Sequence, residues 1–341
     1  MSQDLPDLRG LRVGVLGDGI VDHYIEAAPA RLSREAPVMV LRHRCEELRP
    51  GGAANVARNV VALGARCALF GVVGDDLYGR ALQEQLGAIG VDIQGVVAAA
   101  GHTTPTKTRV LAGEAHRMPQ QVLRIDREPD AAPPPEALTR LAGILERASA
   151  GLDALIVSDY GYGGLGPATL DLAGRLAARG VPVVVDPRRR PDLVAGPTAL
   201  TPNLDELAGF HGCTPEALAD PGRLARAGRD VLARSGARWL LATLGNRGMA
   251  LFGKAGEAWT VAAAGSDDVV DVSGAGDTAA ATFALALAAG RDAPWAMALA
   301  NAAAGLVVME RGTAVCDARA LSAALVGAPQ AIDARPELIR E

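Results

Sequence analysis

Residues 271–283 read DVSGAGDTAAATF, an apolar lead, a Gly-Ala-Gly turn and then Asp277 where a long alanine-rich helix begins. The first turn of a helix leaves backbone N–H groups without acceptors and carries the positive end of the helix dipole, so an anion binds there. An aspartate at that point can accept the proton of an attacking hydroxyl while the turn's amides hold the charge that develops in phosphoryl transfer. The same residues would equally serve as an ordinary Gly-rich turn with a carboxylate on the helix dipole. A second segment, residues 51–59 (GGAANVARN), sends two glycines into a helix whose first turns carry Ala, Ala and Asn55. Glycine lets a polyhydroxylated ligand approach the backbone, and an amide side chain offers it both a donor and an acceptor. A plain helix N-terminus would have the same composition.

Two other phosphate-binding patterns fail. GAGDTA fits the G-x-G-x-x-A of dinucleotide-binding turns, but that fingerprint requires a following strand with an acidic residue about 20 positions on. Here the helix runs into a second helix. The P-loop pattern G-x-x-x-x-G-K-[ST] is missing, since Gly253-Lys254 is followed by Ala255, which excludes a P-loop kinase or GTPase.

The elements that must position these residues alternate. Residues 11–17 (LRVGVLG) form an apolar run ending in Gly, the pattern of a buried first strand whose following residues face a ligand. Strands are expected at 37–43, 67–73, 154–157, 181–185 and 239–242, and helices at 53–64, 78–90 and 167–180. Two further helices begin near Gly276 and Pro294, after a hairpin at 249–263. Such alternation predicts an α/β fold with a doubly wound, mostly parallel sheet. Residues 20–44 and 91–127 break the rhythm and read as a small β lid, the second with turns around Gly101 and Gly113. AAPPP at 131–135 returns the chain to helix.

Composition narrows the class. The 341 residues are 49% hydrophobic and 21% charged, with 3% aromatic, which is globular and built from small side chains. Against 34 basic residues stand 39 acidic ones, a formal charge of −5, whereas a nucleic-acid binder shows clustered positive charge. Nucleic acid is therefore not an expected partner. Lys107 and Lys254 are the only lysines. Cys45, Cys67, Cys213 and Cys316 have neither C-x-x-C spacing nor a nearby His, so neither zinc nor a disulfide scaffold is expected. MSQDLPDLRG lacks a basic segment followed by an apolar one, so the expectation is a cytoplasmic protein without a signal peptide. The apolar tract 293–309 contains Pro294 and Asn301 and falls short of the roughly 20 strongly apolar residues of a membrane span. No membrane association is expected.

Taken together, GGAANVARN and DVSGAGDT resemble the paired signatures of the ribokinase-like, or PfkB, carbohydrate kinase family, over about residues 11–315. The resemblance implies a three-layer αβα fold, with one kinase domain at 11–325 and a C-terminal tail at 326–341. It makes Asp277 the catalytic base and Gly274, Ala275 and Gly276 the anion hole for the γ-phosphoryl of ATP. Asp22, which closes GDGIVD, matches the carboxylate that holds sugar hydroxyls, with Gly51, Gly52 and Asn55 on the same side. Asn203 and Glu206 of TPNLDEL match an N-x-x-E motif linked to the magnesium-nucleotide, Glu206 acting on Mg²⁺ through water. The same four residues also suit a helix start with a surface Glu. Thr243, Gly245 and Gly248 of TLGNRG match the nucleotide loop, and Asn301 stands where the family flanks adenine. Asp271 and Ser273, with the loop at Gly312, resemble a site for a monovalent cation, K⁺. A homodimer paired through its lids is implied as well.

Within the family, the stretches at 31–40 (RLSREAPVMV), 106–111 (TKTRVL), 120–126 (QQVLRID), 158–161 (SDYG) and 183–188 (VVVDPR) resemble kinases of D-glycero-D-manno-heptose 7-phosphate. A substrate with its own phosphate needs extra cations, and Lys107, Arg109 and Arg124 on the lid are the candidates. A solvated strand face would carry the same residues. Two positions depart from that subfamily: His23 follows Asp22 where a basic residue is usual, and Tyr162 replaces a lysine. Other sugars or nucleosides, or a non-catalytic sugar-binding relative, are the competing readings. A chain of this length leaves no room for the nucleotidyltransferase domain of larger relatives, so adenylylation is expected to belong to another protein.

Overall fold

A computed structural model describes residues 5–113, 119–265, 270–327 and 337–338. The central strand β1 (Arg12–Gly17) is flanked on one side by β4 (Arg66–Gly74) and β5 (Asp92–Ala99). On the other side follow β8 (Ala154–Ser158), β9 (Val183–Asp186), β10 (Ala199–Leu200) and β11 (Trp239–Thr243). Then come β12 (Met249–Gly253), β13 (Ala258–Val261) and β14 (Glu337–Leu338). Pairing is parallel from β5 to β11 and antiparallel from there to β14.

Strands that read as unbroken apolar runs are those buried on both faces. In β8, Ala154 and Ile156 enter one core while Leu155 and Val157 enter the other, all four fully buried. The first core is covered by α1 (Ala53–Ala62), α2 (Leu77–Ala88), α7 (Ala275–Ala288), α8 (Ala293–Val307) and α9 (Ala318–Gly327). The second is covered by α3 (Pro135–Ser149), α4 (Pro167–Ala178), α5 (Leu204–His211) and α6 (Pro221–Ser235). These three layers are the expected ones. α7 is buried without a break from Asp277 to Ala286. Its alanines let α1, α8 and the sheet close on it from several sides.

The lid is a separate sheet of β2 (Gly19–Leu32), β3 (Met39–Gly52), β6 (Thr106–Ala112) and β7 (Gln120–Arg127), in the order β3-β2-β6-β7. Only Asp18 separates β2 from β1. The expected lid segment 91–127 needs correction: residues 92–99 are β5 of the main sheet, because Val96, Val97 and Ala99 are buried beside β4. The strand expected at 37–43 extends to Gly52, which puts both glycines of the Gly-Gly pair on the lid. β14 falls within the segment read as a tail and pairs with β13. The tract 293–309 contains α8, and among the described residues no helix is long and apolar enough to cross a membrane. All four cysteines are free thiols.

Asp18 is the hinge point of this arrangement. Its carboxylate is buried and accepts hydrogen bonds from the backbone N–H groups of Tyr160 (3.1 Å), Tyr162 (3.2 Å) and Gly164 (3.0 Å). Its carbonyl accepts from Ala53 at the start of α1. Burial pushes the Asp18 pKa up, opposed by those three donors. Asp18→Ala would leave three N–H groups unpaired, that of Gly164 buried, so it is expected to lower stability by about 3 kcal/mol in urea unfolding. An unchanged midpoint would mean that other contacts hold the 160–164 loop.

Candidate active site

Asp277 lies in the first turn of α7 and is 5% exposed. One carboxylate oxygen, Oδ2, accepts a hydrogen bond from Asn55 Nδ2 at 2.8 Å. The other, Oδ1, accepts from the Tyr160 hydroxyl at 2.8 Å. Burial pushes its pKa up to about 6, against the two hydrogen bonds and the Lys107 charge, and with the help of the Asp22 charge. A carboxylate in that range is charged at neutral pH yet still basic enough to take a proton. Gly274, the residue before α7, has φ of 82°, and a Cβ there would come within 2.7 Å of Asn55 Nδ2.

Asp22 on β2 is buried opposite this carboxylate and bonds the Arg109 guanidinium from β6. Its carboxylate packs where a side chain at Gly51 would stand, and Gly52, with φ of 56°, turns the chain into α1. Asn55, one turn in, is wholly buried. Lys107, paired in register with Asp22, places its ammonium 5.2 Å from the centre of the Tyr160 ring. Burial lowers its pKa, partly offset by Asp22. Arg124, on the exposed strand β7, is bonded to Asp126 of its own strand at 2.7 Å.

Across the α7 turn, a cleft of about 120 Å³ is lined by Asp159, Asp186, Glu206, Thr243, Gly276 and Asp277, among others. Asn203 and Glu206 form a capping box on α5: Glu206 N–H donates to Asn203 Oδ1 and Asn203 N–H donates to Glu206 Oε2, both at 2.9 Å. The remaining oxygen of Glu206 accepts from Arg188 at 3.1 Å. Thr243 ends β11 and bridges to Asn203. Gly245 and Gly248 bound the tight turn that follows, both with positive φ. Asn301 donates from Nδ2 to the Ala262 carbonyl at 2.8 Å, fixing the chain after β13 to α8. The Asp271 carboxylate accepts from Ser273 N–H and Gly312 N–H, both at 2.9 Å.

Residues 19–320 match the pfkB family of carbohydrate kinases. The chain belongs to that family. As a PfkB carbohydrate kinase it is a phosphotransferase with an alcohol group as acceptor. The bifunctional protein HldE of Azorhizobium caulinodans is 42% identical over 321 residues, covering 92% of this chain and 64% of that protein. The kinase therefore spans less than two thirds of this relative's length. Its fold is that of Arabidopsis thaliana ribokinase complexed with ribose and ATP, with a TM-score of 0.70 at 21% identity, covering 93% and 99% of the two chains. Phosphofructokinase-2 of Escherichia coli in complex with potassium is similar too, with a TM-score of 0.73 at 19% identity and coverage of 94% and 99%.

Sequence reasoning brought together Asp277, Asn55, Asp22, Gly51, Gly52, Lys107 and Arg109, and these do meet around one point. The anion turn needs one correction: Ala275 N–H donates to the Val272 carbonyl. The amides with no acceptor among the described residues are those of Gly274, Gly276 and Asp277. Arg124 stands opposite Arg109 in the lid register and is bonded to Asp126 of its own exposed strand. Tyr160, Asp186 and Asp159 were missed as site residues. Their signal was position, at the C-terminal ends of β8 and β9, where doubly wound sheets bind ligands. Gly274→Ala is expected to reduce kcat by about 10²-fold, since a Cβ would displace the Asn55 donor and strain the turn. Wild-type turnover in that variant would show that the contact is dispensable.

Proposed function

We propose that this kinase moves the γ-phosphoryl of ATP to the anomeric hydroxyl of a phosphorylated sugar, D-glycero-D-manno-heptose 7-phosphate, giving the 1,7-bisphosphate. The observation that carries the reading is Asp277, buried at the start of α7, held by Asn55 and Tyr160 and facing Asp22. The sugar lies under the lid with hydroxyls on Asp22 and Asn55. Asp277 takes the proton of the attacking hydroxyl, its oxygen bonds to the γ-phosphorus, and ADP leaves. The amides of Gly274 and Gly276 receive the charge on the transferred group. The lid shuts water out, limiting wasteful ATP hydrolysis.

The nucleotide side suits a magnesium ion that arrives on the phosphates and keeps its water. Among the described residues no cluster of three His, Cys, Asp or Glu could chelate a metal directly. Both Glu206 oxygens already have donors, so Glu206 would act on the ion through water. When bound, the ion would neutralise charge on the phosphates. Asn203, Thr243, Gly245, Gly248 and Asn301 frame the nucleotide in this reading. Potassium fits less well. The two Asp271 oxygens hold Ser273 and Gly312, and the carbonyls of Arg311 and Thr313 accept from the Arg49 and Arg58 guanidiniums at 2.9 and 3.0 Å. Two fixed positive charges already stand at that loop, so replacing K⁺ by Na⁺ is expected to leave kcat unchanged. A K⁺ requirement would contradict this.

Lys107 is the lid cation best placed for the substrate's own phosphate, since Arg109 is engaged by Asp22. A different sugar is the second reading. At the two positions where a basic residue is usual, His23 bonds Glu46 at 3.0 Å and Tyr162 is a neutral phenol bonded to Glu128 at 3.0 Å, so no unengaged cation stands at either. The exposed lid strand β7 carries Val122, Leu123 and Ile125, each more than half exposed, which supports pairing with a second copy as a homodimer. In this reading, ATP and a sugar phosphate as substrates support a cytoplasmic reaction. ADP release with Mg-ATP should be selective for heptose 7-phosphate over the unphosphorylated heptose, fructose and ribose; turnover of a neutral sugar alone would select the second reading. Asp277→Asn should stay folded and bind ATP while losing about 10²–10⁴ in kcat. Near-normal turnover would sink its assignment as base.

A further inference from the structure

Asp277 is held by two donors, and only Asn55 belongs to the motifs that drew attention to the site. The second, Tyr160, comes from the loop after β8. Its backbone N–H is pinned to the buried Asp18 carboxylate, and its ring faces the Lys107 ammonium of the lid. The residue is thus fixed at its backbone by Asp18, at its ring face by Lys107 and at its hydroxyl by Asp277 itself.

We propose that Tyr160 is a positioning residue for the base, its hydroxyl fixing the orientation of the Asp277 carboxylate and favouring its charged, proton-accepting form. The inference rests on the reading of Asp277 as base. A carboxylate turns easily about its Cβ–Cγ bond, because that torsion has only broad preferences. One donor on Oδ2 leaves the group free to swing about that contact. A second donor on Oδ1, arriving from a different element, stops the swing and leaves a lone pair on each oxygen for the substrate proton.

Among the described residues, four groups face Asp277 with charge or a donor hydroxyl: Asp22 from β2, Lys107 from β6, Asp186 from the end of β9, and the Tyr160 phenol. Asp159, Glu206 and Arg188 line the cleft beyond. Desolvation and then the Asp277 and Asp186 charges hold the phenol pKa well above its ordinary range, so the hydroxyl remains a donor while Asp277 titrates. A hydrogen bond made to the charged form lowers the pKa of a carboxyl group. Removing it moves the titration of Asp277 upward.

The test is the pH dependence of kcat/KM for the sugar in Tyr160→Phe, with Tyr162→Phe as control, because the Tyr162 hydroxyl bonds Glu128 instead. The Tyr160→Phe acid limb is expected to lie higher by roughly one pH unit, with the KM for ATP unchanged and the Tyr162→Phe limb at the wild-type position. A uniformly lower kcat with the limb unmoved marks Tyr160 as packing and overturns the proposal. Equal movement of the limb in both variants overturns it as well. Asp277→Asn, assayed alongside, separates the two claims. Its near-normal turnover overturns the base reading and this inference together. Its inactivity with an unmoved Tyr160→Phe limb overturns this inference alone.

Discussion

A carboxylate without water around it must draw its stabilisation from fixed donors, and Asp277 meets that constraint with two. Burial pushes its pKa up to about 6 even against those donors. The Asn55 amide and the Tyr160 phenol keep the penalty from growing to the point where the group would stay protonated at neutral pH. Too much stabilisation would remove its basicity, and too little would remove its charge. Because the two donors come from α1 and from the loop after β8, the base works only if three distant parts of the chain are held in register.

That register has a physical origin in the central strand. β1 ends at Gly17, Asp18 turns three N–H groups of the 160–164 loop toward itself, and β2 leaves directly for the lid. Asp22 and Lys107 then face the site from adjacent lid strands, while α7 brings the anion turn. Small residues make the approach feasible. Gly51 makes room for the Asp22 carboxylate, and Gly274 makes room for the Asn55 amide. The lid, the base and the phosphate turn are therefore parts of one packed unit centred on the end of β1.

Much of this was legible in the residues. Strand and helix alternation specified the layers, since parallel strands buried on both faces leave continuous apolar runs such as ALIVS. DVSGAGDT and GGAANVARN marked the turn and the amide because glycine placement there has a steric cause. β5 escaped as a main-sheet strand because its polar start, DIQG, resembles the lid that follows. The N-x-x-E motif carries two meanings at once, and its capping bonds come from backbone geometry that spacing alone does not distinguish from a nucleotide contact. Tyr160 stands in SDYG, but its contact with Asp277 was hidden for another reason. Its partner is 117 residues away, and a hydrogen bond between distant side chains leaves no periodic trace.

A buried carboxyl group titrating near pH 6 must be charged for turnover. The most direct measurement is the wild-type pH profile of kcat/KM for the sugar under saturating Mg-ATP. An acid limb near pH 6 is expected, activity falling as Asp277 takes up a proton. Activity that stays constant down to about pH 4, the range of an ordinary exposed carboxylate, would contradict it.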